Sequence, residues 1–152
     1  GKKDGDNSSG RIGYLDIAAF IRANGANPEK DLIELWKRIV FNIAVSNTDD
    51  HLRNHGFILT RNGWRLSPVY DINPNLDKDA LSLNITEEDN ALSVDLAIEV
   101  CEKFGIDKKD AVELAKGVLV TVRDNWRTIA EKNGLSKSSI EYMKPAFAVT
   151  QI

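Results

Sequence analysis

Apolar residues recur at helical spacing along most of this chain, and the breaks in that rhythm mark the stretches built for something else. Leu15, Ile17, Ala18, Ala19, Phe20 and Ile21 predict a short helix, with Gly25 as its stop. Asn27-Pro28 opens a second helix. Asn accepts from the free amides of a first turn, Pro suits the first helical position, and Glu29 and Asp31 favour the positive end of the helix dipole. Leu32, Leu35, Trp36, Ile39, Val40 and Ile43 form its apolar stripe. Ile33 and Ala44 widen the stripe, which predicts a central helix ending near Ser46. Ser93 is predicted to cap a helix through Phe104, with Gly105 at its end. A long helix is predicted from about Asp107 to Asn133, closed by Gly134. Its buried face is Ala111, Leu114, Ala115, Val118, Leu119, Val122, Trp126 and Ile129. A short helix over about Ser138 to Lys144 precedes Pro145.

Between the second and third helices the rhythm changes. Phe57-Ile58-Leu59-Thr60 and Trp64-Arg65-Leu66-Ser67 are predicted strands, and Arg61-Asn62-Gly63 carries the Asn-Gly signal of a hairpin turn. Pro68 ends the second strand and Tyr70-Asp71 follows directly. A hairpin returns the chain towards its starting end, so Asp71 is expected near Asn54 and Asp49. Ile72 to Asn90 is predicted as mostly loop, with Leu81, Leu83 and Ile85 alternating as one further short strand. Residues 1 to 10 are polar and rich in turn formers. The chain therefore divides into a loose lead-in over 1–13 and a helical domain over 14–152.

A length of 152 residues, 42% hydrophobic and 28% charged, fits one domain with a sizeable core. The net charge of -3 gives no electrostatic footprint for nucleic acid, so no direct nucleic-acid binding is expected. No signal peptide or membrane-length apolar run is present, which predicts a cytoplasmic setting without a membrane partner. The single cysteine, Cys101, lies in an apolar helical pattern and is read as a small core residue. Trp36, Trp64 and Trp126 fall on apolar faces and are read as core, whereas Lys137 and Lys144 are read as solvent-facing.

The chemistry gathers in Asn47-Thr48-Asp49-Asp50-His51-Leu52-Arg53-Asn54. Asp49 and Asn54 are five residues apart. That is the spacing of a protein-kinase catalytic loop, where the Asp receives the substrate hydroxyl proton and the Asn binds magnesium. Asp71 stands where a second magnesium-binding Asp is expected. Alone, Asp49-Asp50 would be a solvated turn. The Asn at the right offset, the hairpin and Asp71 together reverse that reading, and Asp50 is left to cap or orient the loop. His51 and His55 have the four-residue spacing of two zinc ligands on a helix, but Leu52 stands where the metalloprotease signature needs Glu. Each is read as a structural histidine. Arg53, an ordinary surface charge in isolation, gains a phosphate-neutralising role beside two magnesium-type carboxylates.

These residues resemble the C-terminal region of HipA-like serine/threonine kinases, the toxin component of bacterial toxin–antitoxin pairs. The resemblance is carried by Phe41-Asn42-Ile43, by Asn47 through Phe57, and by Trp64 through Asp71. Leu81-Ser82-Leu83 and Asp89-Asn90-Ala91-Leu92 add to it. It implies a mainly α, protein-kinase-like C-terminal lobe with a small β-hairpin between the catalytic loop and the metal-binding Asp. It also implies ATP, magnesium, a protein Ser/Thr hydroxyl as acceptor and a small DNA-binding antitoxin as partner. By the same resemblance Asp49 is the catalytic Asp, Asn54 and Asp71 are magnesium ligands, Arg53 lies near the transferred phosphate, and His51 braces the loop. Such kinases place a phosphate loop and an ATP-anchoring Lys in an N-terminal part. Here the motif begins at residue 47 with no Gly-rich strand-turn-strand before it, and Lys2 and Lys3 sit in the loose segment. The chain is thus expected to be the C-terminal lobe alone and inactive by itself. Two other readings compete. One is a metal-dependent phosphohydrolase using Asp49, Asp50, His51 and Asp71. The other is a non-catalytic module that docks a basic partner.

Overall fold

The computed structural model describes residues 12–151. Most of the predicted lead-in lies outside them. The fold is mainly helical with one small hairpin. Helix α1 (Tyr14–Asn24) leads into α2 (Pro28–Ala44), then strands β1 (Phe57–Thr60) and β2 (Gly63–Leu66), then α3 (Val94–Glu99), α4 (Lys108–Lys132) and α5 (Lys137–Met143).

Helix α2 is the axis of the molecule. Its start follows the local chemistry: the Asn27 side chain accepts from the Lys30 amide at 3.3 Å, and Pro28 occupies the first turn. Leu35, Trp36, Ile39, Val40 and Ile43 are fully buried along its length. Each such side chain contributes about 1.5–3 kcal/mol of apolar burial. The Trp36 indole donates to the Ala97 carbonyl at 2.8 Å, which satisfies its one polar atom and ties α2 to α3. Ala111, Ala115, Leu119 and Val122 of α4 are buried too, and Cys101 joins the core at 1% exposure. The Asp107 carboxylate caps α4 through the Asp110 amide at 2.9 Å, and Gly134, at φ +80°, follows the helix's end.

The hairpin is anchored rather than free. Phe57 pairs with Leu66 and Thr60 with Gly63, so Gly63 belongs to the strand and the turn is Arg61-Asn62 alone. Gly63 is required: its φ is +126°, and a Cβ there would lie 2.7 Å from the Asn24 carbonyl oxygen. Asp31, buried in the first turn of α2, accepts from Arg65 Nε at 2.9 Å, Arg65 Nη2 at 3.0 Å and the Leu66 amide at 2.9 Å. Burial pushes the Asp31 carboxyl up, but the Arg65 and Leu66 hydrogen bonds outweigh it and leave it below the usual aspartate range. Asp31→Ala would strand both donors and is expected to cost about 2–3 kcal/mol in urea unfolding at neutral pH. Because the folded carboxyl is the stronger acid, this contribution is complete above the ordinary aspartate range. It disappears as the pH falls through the lowered folded value.

Three expectations need correction, and the C-terminal segment adds a feature. No third strand forms around Leu81, Leu83 and Ile85. All three side chains are buried, but the backbone makes only isolated bridges, Gly13 with Asn84 and Ala80 with Ala91. Alternation there reflects insertion into the core, with no neighbouring strand to pair. The Ser93–Phe104 helix is two pieces, α3 and a 3₁₀ turn over Cys101–Phe104, tightened before Gly105 at φ +73°. Beyond α5 the chain continues as 3₁₀ helix over Lys144–Thr150. Pro145 fits its first turn, where the missing N–H costs nothing. Ile129 is 57% exposed, because α4 runs past the core at its C-terminal end. Trp126 on the same stretch is half-buried and stacks on Phe147, ring centroids 4.2 Å apart.

Candidate functional site

The acidic loop leaves α2 through a sharp turn. Ser46 adopts φ +54°, an uncommon conformation for a non-glycine residue, and its hydroxyl donates to the Ala146 carbonyl at 2.6 Å. The Ser46 carbonyl then accepts from the Thr48 and Asn75 amides at 2.9 and 3.0 Å. Asn47 is buried and clipped to Asn42, backbone to backbone at 2.8 Å and side chain to side chain at 3.0 Å. The Ser82 hydroxyl donates to the Thr48 carbonyl at 2.7 Å. The loop is therefore pinned by α2, by the segment after Asp71 and by the C-terminal 3₁₀ turn.

The two adjacent acids part company. The Asp49 side chain is 58% exposed, whereas that of Asp50 is 4% exposed. Asp50 Oδ2 accepts from Tyr14 Oη at 2.7 Å, Asn42 Nδ2 at 3.0 Å and His55 Nε2 at 2.7 Å. Burial, and then the Asp50 carboxylate, push the Tyr14 hydroxyl well above its ordinary pKa, so it stays a donor. Asp49 Oδ1 instead meets His51 Nε2 at 3.0 Å and Lys78 Nζ at 3.3 Å. The His51 hydrogen bond, followed by that of Lys78, holds the Asp49 carboxyl below the usual aspartate range. Asp49 is thus ionised and outward-facing at neutral pH. Removing the ammonium in Lys78→Met is expected to raise the Asp49 pKa towards its ordinary value, read by carboxyl-carbon NMR titration. An unchanged titration would show that the contact is not held in solution.

Asp71 meets the loop from the far side of the hairpin. Asn54, in a 3₁₀ turn over Leu52–Asn54, donates from Nδ2 to Asp71 Oδ2 at 2.8 Å across seventeen residues of sequence. Its Oδ1 accepts the His51 amide at 3.0 Å. His51 therefore links Asn54 through its backbone to Asp49 through its ring. Asp71 sits at φ +57°, and its Oδ1 accepts from Asn73 Nδ2 at 3.0 Å. Strain of this kind concentrates where a side chain must be aimed. Tyr70 Oη donates to the Arg53 carbonyl at 2.7 Å, and Arg53 itself is exposed beside the site.

Asn54 and Asp71 offer oxygen donors of the kind magnesium takes, which usually come as one or two carboxylates completed by substrate phosphates and water. Rotation of the Asn54 amide would turn its oxygen towards Asp71. Among the described residues no group of three or more His, Cys, Asp or Glu side chains could hold a metal ion. His51 and His55 turn to different carboxylates, Asp49 and Asp50, rather than to a shared point. Tyr14, Asn73 and Lys78 have no role in the sequence motifs, and Asn42 stands there only within Phe41-Asn42-Ile43, without an assigned contact. Asn73 carries a local signal, an Asn two residues from the Asp it bonds.

The loop thus carries an exposed acid, an Asn five residues on and a second acid returned by the hairpin, the arrangement expected of the C-terminal domain the sequence resembles. Comparison with known families agrees: the family described as HipA-like C-terminal domain matches residues 2–126, and the chain belongs to that family. A Haemophilus influenzae protein named "Putative kinase" is 36% identical over 72 residues, which are 47% of this chain and 21% of that protein. A Sinorhizobium fredii "Putative kinase" is 24% identical over 128 residues, 84% of this chain and 25% of its own length. A second from the same organism is 30% identical over 112 residues, 69% of this chain and 27% of its own length. The chain spans about a quarter of the length of these relatives. Among the described residues no helix is long and apolar enough to cross a membrane.

Proposed function

We propose that this domain supplies the catalytic loop and the metal-binding side chains of an ATP-dependent kinase. The observation that carries the reading is the Asn54–Asp71 contact at 2.8 Å, which joins the two proposed ligands across the hairpin. Magnesium, when bound with ATP, would draw charge from the phosphates and orient the γ-phosphoryl group. Asp71 would hold it by carboxylate and Asn54 by amide oxygen. Asp49 would accept the hydrogen bond of the acceptor hydroxyl, aim its oxygen at the γ-phosphorus and take its proton as the new O–P bond forms and the bond to the departing ADP oxygen breaks. Arg53, exposed on the same loop, would offset charge on the moving phosphoryl group. The remaining contacts to the nucleotide are assigned to parts of the whole protein beyond this chain. A protein serine or threonine hydroxyl as acceptor, and a small DNA-binding antitoxin as partner, rest on the family alone.

The test is transfer from γ-labelled ATP by the whole protein to a mixture of serine and threonine peptides, with magnesium and with chelator. Label on peptide hydroxyls that depends on magnesium is expected. Hydrolysis of simple phosphate esters without ATP, and no labelled peptide, would instead indicate a phosphohydrolase. The isolated chain is expected to transfer no label, and autophosphorylation by residues 1–152 alone would contradict that.

A further inference from the structure

Asp50 and His55 stand one residue inside and one residue outside the reacting pair: Asp50 follows Asp49, and His55 follows Asn54. Their side chains meet at 2.7 Å and are 4% and 5% exposed. The bond therefore closes the loop at its base, with the proposed base at one end and a proposed metal ligand at the other. Two further buried donors converge on the same oxygen, Tyr14 from α1 and Asn42 from α2. Asn42 also donates to Tyr14 Oη at 3.2 Å and accepts from Asn47 Nδ2 at 3.0 Å. The Tyr14 and His55 rings meet edge to face, centroids 5.9 Å apart.

His55 Nε2 lies 2.7 Å from Asp50 Oδ2, and the tautomer with its proton on Nε2 donates to that oxygen. Among the described residues, none makes a hydrogen bond to the buried His55 Nδ1. A polar cluster this dry is costly when half-satisfied and rigid when complete. On the phosphotransfer reading above, we infer that Tyr14, Asn42, Asp50 and His55 form a positioning clasp. It sets the separation of Asp49 from Asn54 without touching nucleotide or acceptor. None of the four is proposed to exchange a proton in the reaction.

The clasp makes a separable prediction for geometry and for rate. In the whole protein, Asp50→Ala and Tyr14→Phe are expected to speed hydrogen exchange of the His51, Asn54 and His55 amides about tenfold or more, with α4 amides unchanged. In the same variants kcat should fall on the order of 10- to 100-fold with KM for peptide within about twofold, because a shift in aim harms the transition state more than binding. Asp50→Asn keeps a carbonyl oxygen in place and should recover most of the rate lost in Asp50→Ala. If Asp50→Ala does not fold, Tyr14→Phe, which keeps the ring and loses one hydroxyl, carries the test. Unchanged exchange in both variants would overturn the clasp. Faster exchange with unchanged kcat, or no recovery in Asp50→Asn, would overturn its positioning role. A wild type without phosphoryl transfer would count against the kinase reading, while the exchange data would still decide the clasp.

Discussion

Asp49→Asn is expected to lower phosphoryl transfer by about 10²- to 10⁴-fold, the range in which a positioned general base contributes. The same variant should unfold within about 0.5 kcal/mol of the wild type, as surface substitutions usually do. The second half follows from burial. The Asp49 carboxylate is 58% exposed, and its cationic neighbour Lys78 is 49% exposed, so the pair contributes little to stability. Asn keeps an oxygen that can accept from His51, so the loop is not disrupted. What disappears is the negative charge proposed to draw the acceptor proton. Initial rates with labelled ATP and a thermal melt on the same sample check both halves. Retained transfer would remove Asp49 from its role. Lost transfer with a collapsed melt would make it structural.

Asp71→Asn is the second large effect, a fall of about 10³-fold in transfer at low magnesium. Asp71 is held at φ +57°, and Asn is among the few residues that tolerate that region. Asn at 71 can still accept from Asn54 Nδ2, so the fold should be preserved. Its neutral amide binds a divalent cation more weakly than a carboxylate, and raising the magnesium concentration should restore part of the rate. Asp71→Ala carries the same chemical loss plus backbone strain, because Ala resists positive φ. It should therefore melt lower than Asp71→Asn. Equal activity in Asp71→Asn and wild type across magnesium concentrations would contradict the metal role.

The parts of this fold legible in sequence are those whose hydrogen bonds are local. Asn27 and Asp107 cap their helices from three residues away, so α2 and α4 were visible with nearly their true limits. The hairpin was visible because its turn residues and its two short runs of strand-forming residues lie within ten residues. The segment from Ile72 to Asn90 was legible as mostly loop, but its course through the fold was not. Its amides go to partners set by tertiary packing, such as Asn75 to Ser46. The site divides in the same way. The spacing of Asp49, Asn54 and Asp71 pointed to their convergence, and the structure places Asn54 and Asp71 in contact. Which of two neighbouring aspartates faces outward depends on Tyr14 and Asn42. These approach Asp50 from 36 and 8 residues away, and although Asn42 lies in a familial motif, no cap or turn signal marks either contact. Lys78 is likewise an unremarked loop lysine until the fold carries it to Asp49, 29 residues back.

The central claim is that Asn54 and Asp71 together hold the metal that serves the transferred phosphate. Manganese substitutes for magnesium and scatters anomalously, so a crystal of the whole protein grown with manganese and a non-hydrolysable ATP analogue tests it directly. The account predicts one anomalous peak within about 2 Å of Asp71 carboxylate oxygen and of Asn54 Oδ1, near the coordination distance of such ions. The Asn54 amide should be rotated from its present bond to Asp71. A peak bound to neither residue, with the Asn54–Asp71 hydrogen bond intact beside the bound nucleotide, would contradict it.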